Sequence, residues 1–466
     1  NSTNFVNRFI FGNLPIGQYS SPSYSGRFGV LEGVGAAIIT LSACGTLGTA
    51  NTIYNLTQSV NSSGTCFTIT AYNVTLNCNG YMINYTQSST GYAVTSTGYN
   101  FSTIKNCNIV QGRTTANNSY AVYLKSGINS TIKINNISTY GPTSTSARNY
   151  GVFLSSQRNS EVAENNITTS GMQNFGVYLY AQSNSTNISS NKIFTSIISS
   201  YGVYVSNSLL NTIANNNITT KENSTFAVYV TSSENNVTSN NLLTYGVGSN
   251  VIYIVGTVGA NKNKINSNNI TSYGVGATGI FVYGGIANTE VSNNVVTTRG
   301  SPSTGIYIYS SNLTTINLNK IDSLGTSSVA LQLFSSNYNN LTNNNVTALT
   351  TGSRGIYITT YSFSNLIVNN TVKSNNYALT VLNGNLSKIY NNFFNSTIKQ
   401  IVSILPNNRA HVNELNTTKT DLTPNSNIIK GTYLAGNFWA NSLGKGFSQT
   451  CQDTNTDGIC DAVYSI

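Results

Sequence analysis

The sequence predicts an all-β chain wound as a right-handed parallel β-helix (a β-solenoid) of roughly a dozen coils. Three observations carry this. A unit recurs about every 25 residues, the period of a solenoid or array. Within it apolar and polar residues alternate with the period of two that a strand requires. No apolar stripe has the 3.6-residue spacing of a helix. The unit is a G-[VI]-Y-[LIV] strand, a polar turn, then x-I-x-x-N-N-I-[ST]-[ST]. It stands as YAVYLKSGINSTIKINNIST at 120–139, YGVFLSSQRNSEVAENNITT at 150–169 and YGVYVSNSLLNTIANNNITT at 201–220. Further copies begin near Phe226, Thr278, Thr304 and Arg354, a degenerate one near Tyr377, and weaker ones at Thr65 and Tyr92.

Each unit reads as a pair of short strands. In YGVYV, Val203 and Val205 share one face and Tyr204 takes the other; in the second strand Ile213 is apolar between polar Asn211 and Asn215. Such a pair cannot bury its apolar face alone, so successive turns must stack. Each strand then lies beside its copy about 4.8 Å away, and parallel crossovers are overwhelmingly right-handed. A chain of 466 residues would ordinarily divide into several domains, but a solenoid grows by adding turns. The expected division is an N-terminal extension or arm over 1–43, the β-helix over 44–396 and a C-terminal cap over 397–466.

Stacking generates two ladders. Asn135, Asn165, Asn216, Asn293, Asn319 and Asn344 are expected at the bend after the second strand, where asparagine tolerates left-handed backbone and bonds to its copies above and below. Tyr123, Phe153, Tyr178, Tyr204, Tyr229, Tyr253, Phe281, Tyr307 and Tyr357 form an aromatic ladder opposite the core face, hence outward. Cross-strand stacking accounts for it structurally; a flat strip that docks a glycan, an arm or a neighbouring molecule is the functional alternative.

Charged residues make up only 7% of the chain, far below the usual quarter or so. The formal net charge of +10 is spread thinly, with no basic run or nucleic-acid motif. A nucleic-acid partner is therefore not expected. Sugar is expected to replace charge on the surface. N-x-[ST] sequons stand at Asn55, Asn73, Asn84, Asn100, Asn129, Asn136, Asn166, Asn184, Asn187, Asn217, Asn223, Asn236, Asn269, Asn312, Asn340, Asn345, Asn385, Asn395 and Asn416. An Asn/Ser/Thr-rich chain generates some by chance, and several belong to the repeat itself. Scarce charge with abundant sequons suits a secreted protein kept soluble by N-linked glycans.

Residues 1–40 lack the repeat. They carry no charged segment followed by an apolar one, as expected of a mature chain whose signal peptide has been removed. An apolar strand at Phe9–Phe11 precedes a Pro/Gly/Ser stretch and a second apolar run, Val34–Leu41, too short to span a membrane. This segment either caps the first coil or adds as an arm to a neighbouring molecule.

Six cysteines, an even number, favour an oxidising, extracellular setting. Cys78 and Cys107 share an N-C-N context in consecutive coils, so stacking brings them within disulfide reach. Cys44–Cys66 and Cys451–Cys460 then close the two ends. Zinc fits poorly, with one histidine and no C-x-x-C spacing. After residue 396 the repeat decays into a polar segment holding the lone histidine, His411. The tail carries the only tryptophan, Trp439, and an oxygen-rich D-x-N-x-D-G-x-x-x-D pattern: Asp453, Asn455, Asp457 and Asp461, with Gly458 at the turn. Alternate oxygen ligands suit Ca²⁺, although Tyr464 stands where a twelfth-position glutamate is expected; a turn clamped by Cys451–Cys460 is the plainer reading.

The repeats resemble those of the pectate-lyase-like β-helix superfold, in the NosD-like group of secreted repeat proteins. The opening CGTLGTANTIYNLTQSVNSSGTCFTITAYNVTLNCNGYMI and the closing GNFW and DTNTDGICDAVYSI resemble the ends of β-helix surface proteins of archaea and some bacteria. The resemblance covers 44–466. It implies the fold and says little about function, because this superfold hosts lyases, hydrolases, tailspikes, adhesins and surface-layer components.

Enzymes of this superfold gather carboxylates, with an Arg or Lys base in the lyases. Here Glu161, Glu164, Glu222, Glu234, Glu290 and Asp322 fall at different places in their units, and Arg113, Arg148, Arg158, Arg299 and Arg354 are scattered. No catalytic residue is assigned. The expected function is an extracellular structural glycoprotein, a subunit of a surface filament or surface layer whose principal partner is itself. A polysaccharide-binding adhesin using the aromatic ladder is the alternative, and a polysaccharide lyase or hydrolase a more distant one.

Overall fold

The structure is a computed structural model that describes residues 18–21, 24–27, 36–143, 147–256, 261–404, 413–462 and 464. Three parallel sheets of 15 strands each run its length, wound as a right-handed β-solenoid of about 14 turns. Each turn contributes one strand to each sheet, three in all, where the sequence predicts two. Tyr201–Ser206 lies in the first sheet, Thr212–Ala214 in the second and Asn217–Thr220 in the third. The stretch read as one strand is split because Asn215 adopts a left-handed conformation, φ 57°, which turns the chain through a corner. Val203, Val205, Ile213 and Ile218 all point inward and are fully buried.

The glycine that opens each unit is explained by that core. A Cβ on Gly202 would lie 2.2 Å from Cγ2 of Ile218 and 2.6 Å from the carbonyl oxygen of Ala227 in the next turn. The G of G-V-Y and the I of N-N-I therefore face one another across the core of the same coil.

The corner between the second and third sheets holds the asparagine ladder. Its rungs are Asn135, Asn165, Asn191, Asn216, Asn240, Asn268, Asn294, Asn319, Asn344, Asn370, Asn392 and Asn437. Asn216 donates from its backbone N–H and Nδ2 to Asn240 Oδ1, at 2.9 and 3.0 Å. Its Nδ2 also reaches the carbonyls of Ile188 and Ala214. The sequence assignment requires two corrections. Asn293 is not a rung: it is the left-handed residue, φ 56°, just before the rung Asn294. The rungs are likewise not the left-handed residues; from Asn135 to Asn392 each follows one, as Asn216 follows Asn215 and Asn344 follows Asn343.

Cysteines begin this ladder. The N–H of Cys107 donates to Asn135 Oδ1 at 3.0 Å, so Cys107 stands in a rung position, and a disulfide ties it to Cys78 in the preceding turn, Cα–Cα 4.7 Å. A second disulfide, Cys44–Cys66 (Cα–Cα 4.7 Å), joins neighbouring turns beside the first sheet, and Cys451–Cys460 closes a loop in the tail.

The solenoid begins before residue 44. Ala37–Leu41 pairs in parallel with Thr52–Leu56 as the terminal strand of the second sheet. Gln18–Ser21 and Tyr24–Arg27 pair antiparallel. The strand expected at Phe9–Phe11 and the lone His411 lie outside the described residues. At the other end Lys399–Ile404 extends the first sheet and Phe438–Asn441 the third. Trp439 stacks on Phe394 and on Tyr464, with ring centroids 4.9 and 5.2 Å apart.

Candidate functional site

The outward side of the first sheet carries the densest chemistry. Tyr123, Phe153, Tyr178, Tyr204, Tyr229, Tyr253, Phe281 and Tyr307 stack in register; Gln332 then interrupts the column before Tyr357. Sequence reasoning missed a second column beside it: Tyr92, Tyr120, Tyr150, Phe175, Tyr201 and Phe226. Its signal was the aromatic residue three positions before Tyr123, Phe153, Tyr178, Tyr204 and Tyr229. The geometry is a herringbone. Ring faces touch at ~3.5 Å, so a longer step along a column requires the rings to lie tilted by about 40°, and two columns tilted in opposite senses meet at about 80°. Tyr178 and Tyr204 are 4.7 Å apart and parallel, while Phe175 meets Tyr204 at 83°.

This packing covers the ring faces within each column. Burial holds the phenols neutral: desolvation, and then the neighbouring tyrosines, push Tyr120 and Tyr201 up to about 12, and Tyr150, Tyr178 and Tyr229 higher still. A groove of about 400 Å³ runs along the wall, bordered by Asn118, Arg148 and Gln173. One ring on it differs. Tyr180 is 40% exposed; its register neighbours in the adjoining turns are Ser155 and Ser206, and its ring contacts are tilted ones with Tyr178 at 5.6 Å and Phe153 at 6.4 Å.

The acids do not converge. Glu161 and Glu290 occupy equivalent positions in the second sheet, a correction to their expected scatter, but five turns separate them. Glu234 pairs with Lys262 at 3.6 Å and Asp322 with Lys320 at 3.7 Å. Arg299 and Arg354 lie over the rings of Tyr273 and Tyr357.

In the tail, the oxygens expected to bind calcium are engaged by protein donors. Asp453 accepts from the N–H groups of Asp457 and Gly458, Asn455 from Asp457, and Asp461 from Thr454. Lys419 donates to Asp457, which holds that carboxyl below the usual range. Among the described residues no three His, Cys, Asp or Glu side chains gather as a metal site.

The sequons distribute by face. Asn136, Asn166, Asn217, Asn269 and Asn345 are exposed at the first position of the third sheet, one per turn where the sequence permits. Asn385, by contrast, is buried. At the N-terminal end of the solenoid Ala37–Leu41 is an edge strand with Ile38 66% and Ile39 37% exposed; among the described residues nothing pairs with its outer side. No helix among the described residues is long and apolar enough to cross a membrane.

A profile described as periplasmic copper-binding protein NosD matches residues 142–251 and 247–444, more than half of the chain. No curated protein matches in sequence. Among solved structures the Dettilon tailspike protein is 16% identical with a TM-score of 0.42, over 66% of this chain and 62% of that one. The chain thus spans less than two thirds of the tailspike's length. The A-module of mannuronan C-5 epimerase AlgE4 from Azotobacter vinelandii is 14% identical with a TM-score of 0.38, over 63% of this chain and 86% of that one. DFA-IIIase from Arthrobacter chlorophenolicus A6 without its lid is 12% identical with a TM-score of 0.38, over 57% and 66%.

Proposed function

The chain belongs to the NosD family, and we propose that this member is an extracellular structural glycoprotein, a subunit that joins its own copies end to end in a surface filament or layer. The observation that carries this reading is the Ala37–Leu41 edge. A parallel strand whose outer side is unpaired among the described residues, with Ile38 and Ile39 exposed, is a template for another chain. A head-to-tail contact between unlike ends gives open fibres rather than closed rings. The opposite end is built differently: Trp439, Tyr464 and the short helix Phe447–Thr450 lie over the last turn. That asymmetry favours a polar assembly. The exposed sequon column on the third sheet supports N-linked glycans as the solubilising coat of the shaft.

The copper named in the family description does not fit the residues described here. Copper sites are built from thiolate, thioether and imidazole donors. All six cysteines are in disulfides, and Met82 and Met172 lie three turns apart. The family's periplasmic setting and the disulfides agree on an oxidising compartment outside the cytoplasm.

Negative-stain electron microscopy of the full chain tests the proposal. Fibres are expected at micromolar protein, and Ile38→Lys/Ile39→Lys should leave single rods. Single rods from the unaltered chain, or fibres from the double variant, would overturn it.

A further inference from the structure

The groove on the aromatic wall has a chemistry that end-to-end assembly does not use. Its border holds one guanidinium, Arg148, and its lining contains no carboxylate. Arg148 is exposed and forms no ion pair among the described residues. Its charge lies close enough to Tyr120 and Tyr150 to act on their hydroxyls. Asn118 and Gln173 add amide donors and acceptors. Tyr180, on the same groove, is the most exposed of its rings and has serines rather than rings beside it in the adjoining turns.

We propose that this groove binds an extended acidic oligosaccharide, with one sugar ring against Tyr180 and a carboxylate of the same chain paired to Arg148. Each part of the site selects for that ligand. The exposed part of an aromatic ring flanked by serines accepts the apolar C–H face of a pyranose. Neutral phenols and amides can donate to or accept from sugar hydroxyls. The unpaired guanidinium, in a lining free of acids, favours a carboxylate, to which it can donate two parallel hydrogen bonds. The period of the wall also suits a polymer: the stacked rings repeat every 4.7 to 5.0 Å along the axis, close to the length of one extended hexopyranose residue. A chain laid along the solenoid would meet a ring at the same spacing turn after turn, with a hydroxyl wherever that ring is tyrosine.

Tyr180→Ser is the informative variant, because serine stands at the same register position in the turns on both sides and the fold accommodates it there. Calorimetric titration of the full chain with oligogalacturonate, and with a neutral dextran oligomer of equal length, provides the readout. The acidic oligomer should bind and the neutral one bind at least tenfold more weakly. Arg148→Gln should weaken acidic binding about tenfold or more, the usual effect of losing a charged hydrogen-bonding partner, and leave the neutral oligomer unchanged. Tyr180→Ser should weaken both. Equal affinity for the two oligomers, unchanged acidic binding in Arg148→Gln, or no binding of either at millimolar concentration would overturn the proposal. Fibre formation by Arg148→Gln should match the unaltered chain, so failure here is distinct from failure of the filament reading.

Discussion

Gly202 and Ile218 face one another so closely that a methyl group on the glycine would stand 2.2 Å from the isoleucine Cγ2. The two residues come from the two halves of the repeat, 16 positions apart, and their contact couples one half to the other. The same relation holds for Gly151 with Ile167 and for Gly355 with Val372.

Gly202→Val should therefore destabilise the solenoid by roughly 1–3 kcal/mol through overpacking. Because each turn contacts only its neighbours, the effect should be local. Hydrogen exchange should speed in the turns around 176–244 and stay unchanged near 300–396; uniform loss of protection would show that the turns do not act as separate units.

Asn216→Ala should cost more than about 2 kcal/mol, since it strands several buried partners at once. The N–H and Nδ2 of Asn191 lose their acceptor, and the carbonyls of Ile188 and Ala214 lose a donor. Denaturant unfolding measures the loss; a change within 0.5 kcal/mol would mean that the ladder is dispensable at this rung.

Alkali should unfold the protein through its tyrosines. Burial raises Tyr120, Tyr201 and Tyr307 to about 12, whereas an unfolded tyrosine titrates near 10. Between those values the unfolded chain has released protons that the folded one retains, so folding stability falls as pH rises. It should be level below about pH 10 and decline toward pH 12. Ultraviolet titration of phenolate at graded pH checks this: a midpoint near 10 for all 30 tyrosines, with no loss of thermal stability, would contradict it.

Glycopeptide mass spectrometry of native material should find sugar on Asn136, Asn166 and Asn217 and none on Asn385. The first three are exposed, whereas a glycan on Asn385, 2% exposed, would require the turn to open. Modified Asn385 with bare Asn217 would reverse the assignment of faces.

Much of the fold was legible because a solenoid writes its contacts as periodicity. Val203 and Val205 alternate with Tyr204, and that alternation alone fixes which side faces the core. Two features escaped. The third strand hid because the corner before it is only a left-handed residue long, and residues as different as Ile134, Glu164, Ser190 and Asn215 occupy that position; no residue type marks it. The Asn293 assignment slipped by one for a related reason, since N-N offers two asparagines and only backbone geometry decides which one turns inward. The groove was half legible. The ladder tyrosines recur at a fixed place, but Arg148 and Tyr180 occur once each, and a residue without a repeat announces nothing until stacking brings it beside another.

The two disulfides of the N-terminal turns have a mechanical consequence. Hydrogen bonds between turns of a solenoid run along its axis, so a pull on one end loads the turns in series, and the weakest junction opens first. The N-terminal turns would bear that load directly in a chain of subunits. Cys44–Cys66 and Cys78–Cys107 stitch the first three turns together covalently. Tension that reaches these turns is passed inward, to turns that hydrogen bonds and the asparagine ladder hold without a covalent link.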